Sequence, residues 1–251
     1  MAFVPRVFLP AESIRDGITF VGGADANHLK NVLRMSVGDK VTVCDGEGKV
    51  YPAVITSFDD EGVTLSLGEG VPSGGEFPFP VAVYQCMPKG EKTDLVIQKS
   101  VELGATEIVL VMSERCVARP DEKSMEKKLL RYRKIAESAA AQCGRAIVPE
   151  VRGLVSYEDA LKEMSFAEVP LLCYEGSDVR PLKKLLPALP RAIAFLIGPE
   201  GGISEKEVAL AKTYGIKLCG LGSRILRTET AALFVLAAIN VLTDNSEKDT
   251  V

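Results

Sequence analysis

Histidine is almost missing: His28 is the only one in 251 residues. A Ser-His-Asp or Cys-His catalytic set, or a histidine-rich metal site, would have to be built around that one residue, and neither is expected. The six cysteines (Cys44, Cys86, Cys116, Cys143, Cys173, Cys219) include no C-x-x-C pair. Most sit in apolar, strand-like runs, so they read as small buried hydrophobes rather than disulfides or zinc ligands. Long apolar runs are also lacking; stretches such as Ala231–Ile239 are too short to span a bilayer. The opening MAFVPRVFLPAESIRDG carries Pro5, Arg6 and Pro10 where a signal peptide needs an unbroken apolar core. A cytoplasmic protein with no metal and no membrane partner is therefore expected.

What is present is an ordinary globular balance, 47% hydrophobic and 25% charged. The length is comfortable for two domains. The net charge of −4 argues against a generic polyanion binder. Its distribution is uneven. Residues 1–72 hold 6 Lys/Arg against 10 Asp/Glu, whereas 113–145 holds 9 against 5. That basic stretch reads either as a solvated helix face or as a phosphate-binding surface.

The first seventy residues read as short strands with turn punctuation: RVFLP, GITFVG, KVTVCDGEGKVYPAVITSFDD and EGVTLSLG. This spacing predicts a small barrel or sandwich. One helix interrupts it in ADANHLKNVLRM, with Asp25 or Asn27 as its expected cap. VPSGGEFPFP then reads as a linker. Beyond it, strands (PVAVYQCM, EIVLVM, VPLLCYEG, AIAFLIG, IKLCGLG) alternate with helices (TDLVIQKSVELG, about Lys123–Gln142, SEKEVALAKTYG, and a final apolar one through Leu242). Such alternation predicts a mostly parallel sheet covered on both faces. The end, DNSEKDTV, reads as a frayed tail.

Two loops attract chemistry. In LIGPEGGISEKEV a buried strand ends in Gly198-Pro199-Glu200-Gly201-Gly202, and Ser204 with Glu207 forms a capping box. Glycines let a backbone turn sharply and approach a ligand, although a tight connection explains them equally well. The spacing matches neither dinucleotide nor P-loop phosphate motifs. In GLGSRILRTETAALFVLAAI, Thr228 suits an N-cap and Glu229 a first-turn acid. Neither reading explains the apolar Ile225-Leu226 pair between Arg224 and Arg227.

Together, IGPEGGIS and LGSRILRTETA resemble the SPOUT superfamily of S-adenosylmethionine-dependent RNA methyltransferases. Within it they are similar to the RsmE family, the uracil-N3 methyltransferases of small-subunit (16S) ribosomal RNA. RVFL, HLKNVLRMSVGD, KGEKTDLVIQKSVELGATEIVLV and RKIAESAAAQCGR extend the resemblance over nearly the whole chain. The resemblance implies an α/β fold: a PUA-like RNA-binding β-barrel over 1–72, a linker at 73–79, and a SPOUT methyltransferase domain over 80–245 with a deep trefoil knot. It also implies a homodimer acting on ribosomal RNA or the 30S particle during ribosome maturation, with S-adenosyl-L-methionine as cofactor.

On that resemblance the cofactor site comprises Leu172, Ile197, Gly198, Pro199, Glu200, Gly201, Gly202, Leu221, Gly222, Ile225, Leu226, Arg227 and Thr230. Arg227 is the expected stabiliser of the anionic uracil ring and Glu229 the expected proton acceptor. Candidate RNA contacts are Arg6, His28, Asn31 and Arg34 in the first domain, and Arg115, Arg119, Arg133 and Arg145 in the second, with Arg131 and Lys134 alongside. Arg224 is expected to lie outside the contact. Other readings are a SPOUT methyltransferase for a different base, ribose or transfer RNA site, or an RNA-binding assembly factor without catalysis. The intact glycine and ILRTETA loops count against the second.

Overall fold

The structure, a computed structural model, describes residues 4–14 and 17–243. The tail from residue 244, and the last two residues of the expected second domain, lie outside the described residues. The chain divides into two compact units, one running to Glu76 and including Ser138–Val148, the other comprising Phe77–Glu137 and the chain from Pro149 onward.

The first unit contains β1 (Arg6–Phe8), β2 (Ile18–Gly22), α1 (Gly23–Asn27), β3 (Lys40–Cys44), β4 (Lys49–Phe58), β5 (Gly62–Leu67) and β6 (Val71–Pro72). Its sheet runs β1-β3-β4-β5-β2, with β6 paired to β4. The inward residues of these strands (Val21, Val41, Val43, Ile55, Val63, Leu65) close on Leu29 to form one core. Burial alternates along β2, as period-two patterning requires. Two expectations change here. α1 starts at Gly23 and no side chain caps it, so neither Asp25 nor Asn27 plays that part, and the helix continues as a π-helical turn over His28–Val32. Val71-Pro72, read as linker, pairs with Lys49-Val50 as a short strand.

The second unit contains β7 (Val81–Cys86), α2 (Lys92–Glu102), β8 (Glu107–Met112), α3 (Glu122–Cys143, whose last turns belong to the first unit), β9 (Glu150–Ser156), α4 (Tyr157–Met164), β10 (Val169–Cys173), β11 (Arg180–Pro181), β12 (Ile193–Ile197), α5 (Glu205–Thr213), β13 (Lys217–Gly220) and α6 (Thr228–Thr243). The sheet order is β11-β13-β10-β12-β7-β8-β9, and every pairing is parallel. β10 and β12, VPLLC and IAFLI, are buried at every position, as unbroken apolar runs at the centre of a two-sided parallel sheet must be. α2 stops where Gly104 takes φ +94°, a conformation that favours glycine. All six cysteines are free thiols, and all but Cys143 are buried.

β9 and α4 have no counterpart in the sequence reading. α4 nonetheless carries a legible start: the Ser156 side chain accepts from the Asp159 amide, ahead of buried Ala160, Leu161 and Met164.

Candidate active site

Because the strands are parallel, the loops after β10, β12 and β13 all leave from one edge of the sheet, where open α/β sheets bind ligands. They enclose a cavity of about 440 Å³, the size of a small-molecule site. Ile197, Gly198, Pro199, Glu200 and Gly202 line one wall; Leu221, Gly222, Ile225, Leu226 and Arg227 line another. Tyr174 and Glu175, following β10, contribute to the lining as well.

Four expected residues stand elsewhere. Leu172 is wholly buried in β10, and its neighbour Cys173 reaches the cavity instead. Gly201 backs onto the turn after β8: a Cβ there would lie 3.1 Å from the Arg115 Cβ and 3.3 Å from the Arg115 carbonyl oxygen. Its lack of a side chain serves the packing of that turn. Thr230 is exposed and outside the lining. Glu229 is outside it too, its carboxylate 3.3 Å from the Lys92 ammonium, so it does not present itself to the cavity as a proton acceptor.

The walls are tied together by side chains. Thr228, buried at the first turn of α6, donates its hydroxyl to the Gly198 carbonyl at 2.7 Å and accepts from Gln85 Nε2 at 2.8 Å. It is therefore a fastener between β7, the GPEGG turn and α6; it is the first residue within the helix and no backbone amide is bonded to its hydroxyl, so it does not play the N-cap part expected of it. Glu200 accepts from Lys92 Nζ at 2.8 Å and from the Lys89 amide at 3.2 Å. Partial burial works to raise the Glu200 carboxyl, but the Lys92 ammonium and the amides of Glu200 and Lys89 outweigh it and hold it below its ordinary value.

The capping box of α5 forms as expected, and Glu114 extends it. Ser204 Oγ donates to the Glu114 carboxylate at 2.7 Å while the Glu114 amide donates to Glu207 at 2.7 Å. Arg115 Nη1 donates to the Gly201 carbonyl at 3.1 Å.

The cavity's chemistry follows from what is left unpaired. Among the described residues, the amides of Gly222, Ser223, Arg224, Ile225 and Leu226 donate no hydrogen bond, nor do Arg224 and Arg227 form an ion pair. Ile225 is 87% exposed beside them, an apolar surface waiting for a flat ligand. Free amides, apolar platforms and a glycine-lined wall open at Gly222, where a Cβ would meet nothing within 4 Å, fit an adenosyl ligand. Arg224 lines the same cavity as Arg227, contrary to its expected place outside the contact.

The candidate RNA contacts separate by environment. His28, Asn31 and Arg34 are exposed in the first unit, Asn31 donating to Asn27 at 2.6 Å, and Arg34 holds φ +54°. Arg6 is half-buried and reaches the Cys44 thiol. Arg119 is exposed and donates to the Glu114 carbonyl at 2.8 Å; Arg133 and Lys134 are exposed on α3, and Arg131 pairs with Asp94. Arg145 is a correction: it is 3% exposed and bound to Glu76 at 2.6 Å, a structural ion pair rather than part of a phosphate track. Among the described residues no cluster of His, Cys, Asp or Glu is arranged to hold a metal, and no helix is long and apolar enough to cross a membrane.

Comparison with known proteins agrees with this geometry. Residues 75–240 match the model of the RNA methyltransferase domain, and residues 21–68 that of the RNA methyltransferase PUA domain. Ribosomal RNA small subunit methyltransferase E of Bacillus subtilis is 34% identical over 94% of this chain and 95% of its own. The chain belongs to the ribosomal RNA small subunit methyltransferase E family. The methyltransferase E of Neisseria gonorrhoeae, crystallised with S-adenosyl methionine, superposes with a TM-score of 0.86 at 33% identity, covering 96% of this chain and 98% of that one. A methyltransferase of Legionella pneumophila, in complex with the bound cofactor, gives 0.87 at 30% identity, again covering 96% and 98%.

For this member of the methyltransferase E family, sequence reasoning passed over Gln85, Lys92 and Glu175. Gln85 had a signal, being the one strongly polar residue inside the buried run PVAVYQCM.

Proposed function

We propose that this chain methylates uracil N3 of small-subunit (16S) ribosomal RNA, using S-adenosyl-L-methionine, during ribosome maturation in the cytoplasm. One observation carries the reading: the GPEGG turn and the GSRILR loop together form a cavity with free amides, an apolar platform and unpaired arginines. When bound, S-adenosyl-L-methionine supplies a methyl group already activated by its positive sulfur. The chain's own task is then to position the base and to make loss of the N3 proton cheap. Arg227, on the cavity wall without a partner, stabilises negative charge spreading onto the ring oxygens. Arg224 adds to that field, and the proton passes to solvent at the open mouth.

Residues 1–72 would hold the RNA, 80–245 the chemistry, with 73–79 between them. Exposed His28, Asn31, Arg34, Arg119 and Arg133 are the proposed contacts to RNA. α6 follows β13, on one side of β10, yet packs on α2 and β12, on the other, a return path that supports the trefoil knot the resemblance implies. The same helix exposes Phe234 at 42% and Val241 at 79%, an apolar stripe that supports pairing with a second copy. The function is tested by mass spectrometry of ribosomal RNA from a deletion strain, with and without the gene restored. Unchanged uracil methylation on deletion would rule it out.

A further inference from the structure

We infer that Glu175 answers the positive sulfur of S-adenosylmethionine and so lets the site distinguish the charged methyl donor from its neutral demethylated product; this rests on the function proposed above. The charged side chains on the cavity wall are Lys92, Glu175, Glu200, Arg224 and Arg227. Lys92 and Glu200 neutralise one another at 2.8 Å. Arg224 and Arg227 are unpaired among the described residues, and Glu175 is the one carboxylate of the wall left to offset them. Glu175 is exposed, and among the described residues it is the one carboxylate of the wall that takes part in no ion pair or hydrogen bond. Its Oε1 stands over the GPEGG turn, 3.1 Å from where a Cβ on Gly202 would be. The Nη1 of Arg115 is 3.9 Å from the same point, but that group is held by the Gly201 carbonyl.

A sulfonium has no N–H or O–H to donate, so loop carbonyls reach it only through weak C–H contacts and their dipoles. The field of a nearby anion stabilises it more strongly than such dipoles do. An ammonium has three donors and can be served by carbonyl oxygens alone. The free carboxylate is therefore worth most to the sulfur. In the reaction the S–CH3 bond breaks and its electron pair stays on sulfur. The methyl carbon bonds to uracil N3, whose proton leaves to solvent. The sulfur is then neutral, the attraction to Glu175 is gone, and the product is released more readily than the donor.

The test is calorimetric binding of S-adenosylmethionine and of S-adenosylhomocysteine, its demethylated product, to the full-length parent, Glu175→Gln and Glu175→Asp. Glu175→Gln should weaken binding of the methyl donor about tenfold and that of the product less than about twofold. Glu175→Asp, which keeps the charge, should recover much of the loss. Product binding also reports that the variants are folded. Equal losses for both ligands, or none for either, overturn the role given to Glu175. A parent protein that binds neither ligand overturns the proposed function itself, and this inference with it.

Discussion

Thr228 gives its hydroxyl proton to the carbonyl of Gly198, 2.7 Å away and 30 residues earlier in the chain. One hydrogen bond thus fixes the start of an apolar helix to the first glycine of the turn that shapes the cavity. Gln85 completes the arrangement from below, and its Nε2 has no replacement for Thr228 Oγ1 apart from the Cys86 carbonyl it already uses.

Replacing Thr228 with valine keeps the shape and removes both bonds. Leaving the Gly198 carbonyl without this donor, and Gln85 Nε2 with the Cys86 carbonyl alone, should cost about 1–3 kcal/mol of stability. Binding of S-adenosylmethionine should weaken in parallel, while Thr228→Ser should behave like the parent. Chemical denaturation and calorimetry on the three proteins check this.

Gly201→Val should fold and yet bind the donor more weakly, by displacing the turn at Arg115 rather than by blocking the ligand. The new Cβ would meet Arg115 at 3.1 Å, tighter than such contacts ordinarily are. Gly222→Ala offers the comparison, because nothing lies within 4 Å and only its φ of +105° resists the change. That should cost about 1 kcal/mol. Equal donor affinity for Gly201→Val and the parent would show that the contact with Arg115 is not limiting.

Arg227→Ala should slow single-turnover methylation of a small-subunit particle by about 100-fold while leaving stability within about 0.5 kcal/mol of the parent. Arg224→Ala should slow it too, since both line the cavity. The suitable control is Arg191→Ala, 89% exposed and paired only with Glu168. A parental rate for Arg227→Ala, with folding intact, would remove it from the chemistry.

Arg145→Met should destabilise the protein by about 2–3 kcal/mol, because it leaves the half-buried Glu76 carboxylate with only the Ala146 and Ile147 amides as donors. Adding Glu76→Leu should restore much of that loss. RNA affinity of the folded fraction should not change, which separates a structural arginine from a phosphate-binding one.

The Lys92–Glu200 tie sets a pH dependence. Glu200 is depressed in the folded protein, so its contribution is complete above the ordinary value of 4.5 and is lost as pH falls through the lower folded value. Donor affinity should accordingly be flat from neutral pH down to about 5 and decline below it. In Lys92→Met the burial that raises Glu200 is no longer opposed by the ammonium, and the decline should move to higher pH. Identical profiles for the two proteins would show that the tie does not hold the loop.

The second unit's central strands were the most directly legible elements, because their burial is complete on both faces. VPLLC and IAFLI are wholly buried and appear as unbroken apolar runs, and the S-x-x-E box places the start of α5 to the residue. β9 escaped because it is the sheet's last strand. Its residues are half-buried, and Arg152 and Gly153 interrupt the pattern. The cavity was legible through its glycines and the Ile225-Leu226 pair. Its fasteners were not, because Thr228, Gln85 and Lys92 act on partners far away in the chain, and spacing carries no record of such pairs. Arg145 misled for a related reason. It continues a basic stretch in sequence, while its burial depends on Glu76, 69 residues earlier.

That same separation governs the order in which the molecule can be made. The first compact unit is not finished at Glu76; it includes Ser138–Val148 as well. On the ribosome, the sheet of β1–β6 emerges with one acidic side chain awaiting a cation that is not yet synthesised. At roughly 5–20 residues per second, several seconds separate the two. The first unit is therefore expected to become native only after more than half of the chain is translated, and a nascent protein stalled before Arg145 should be more open to proteases than the finished chain.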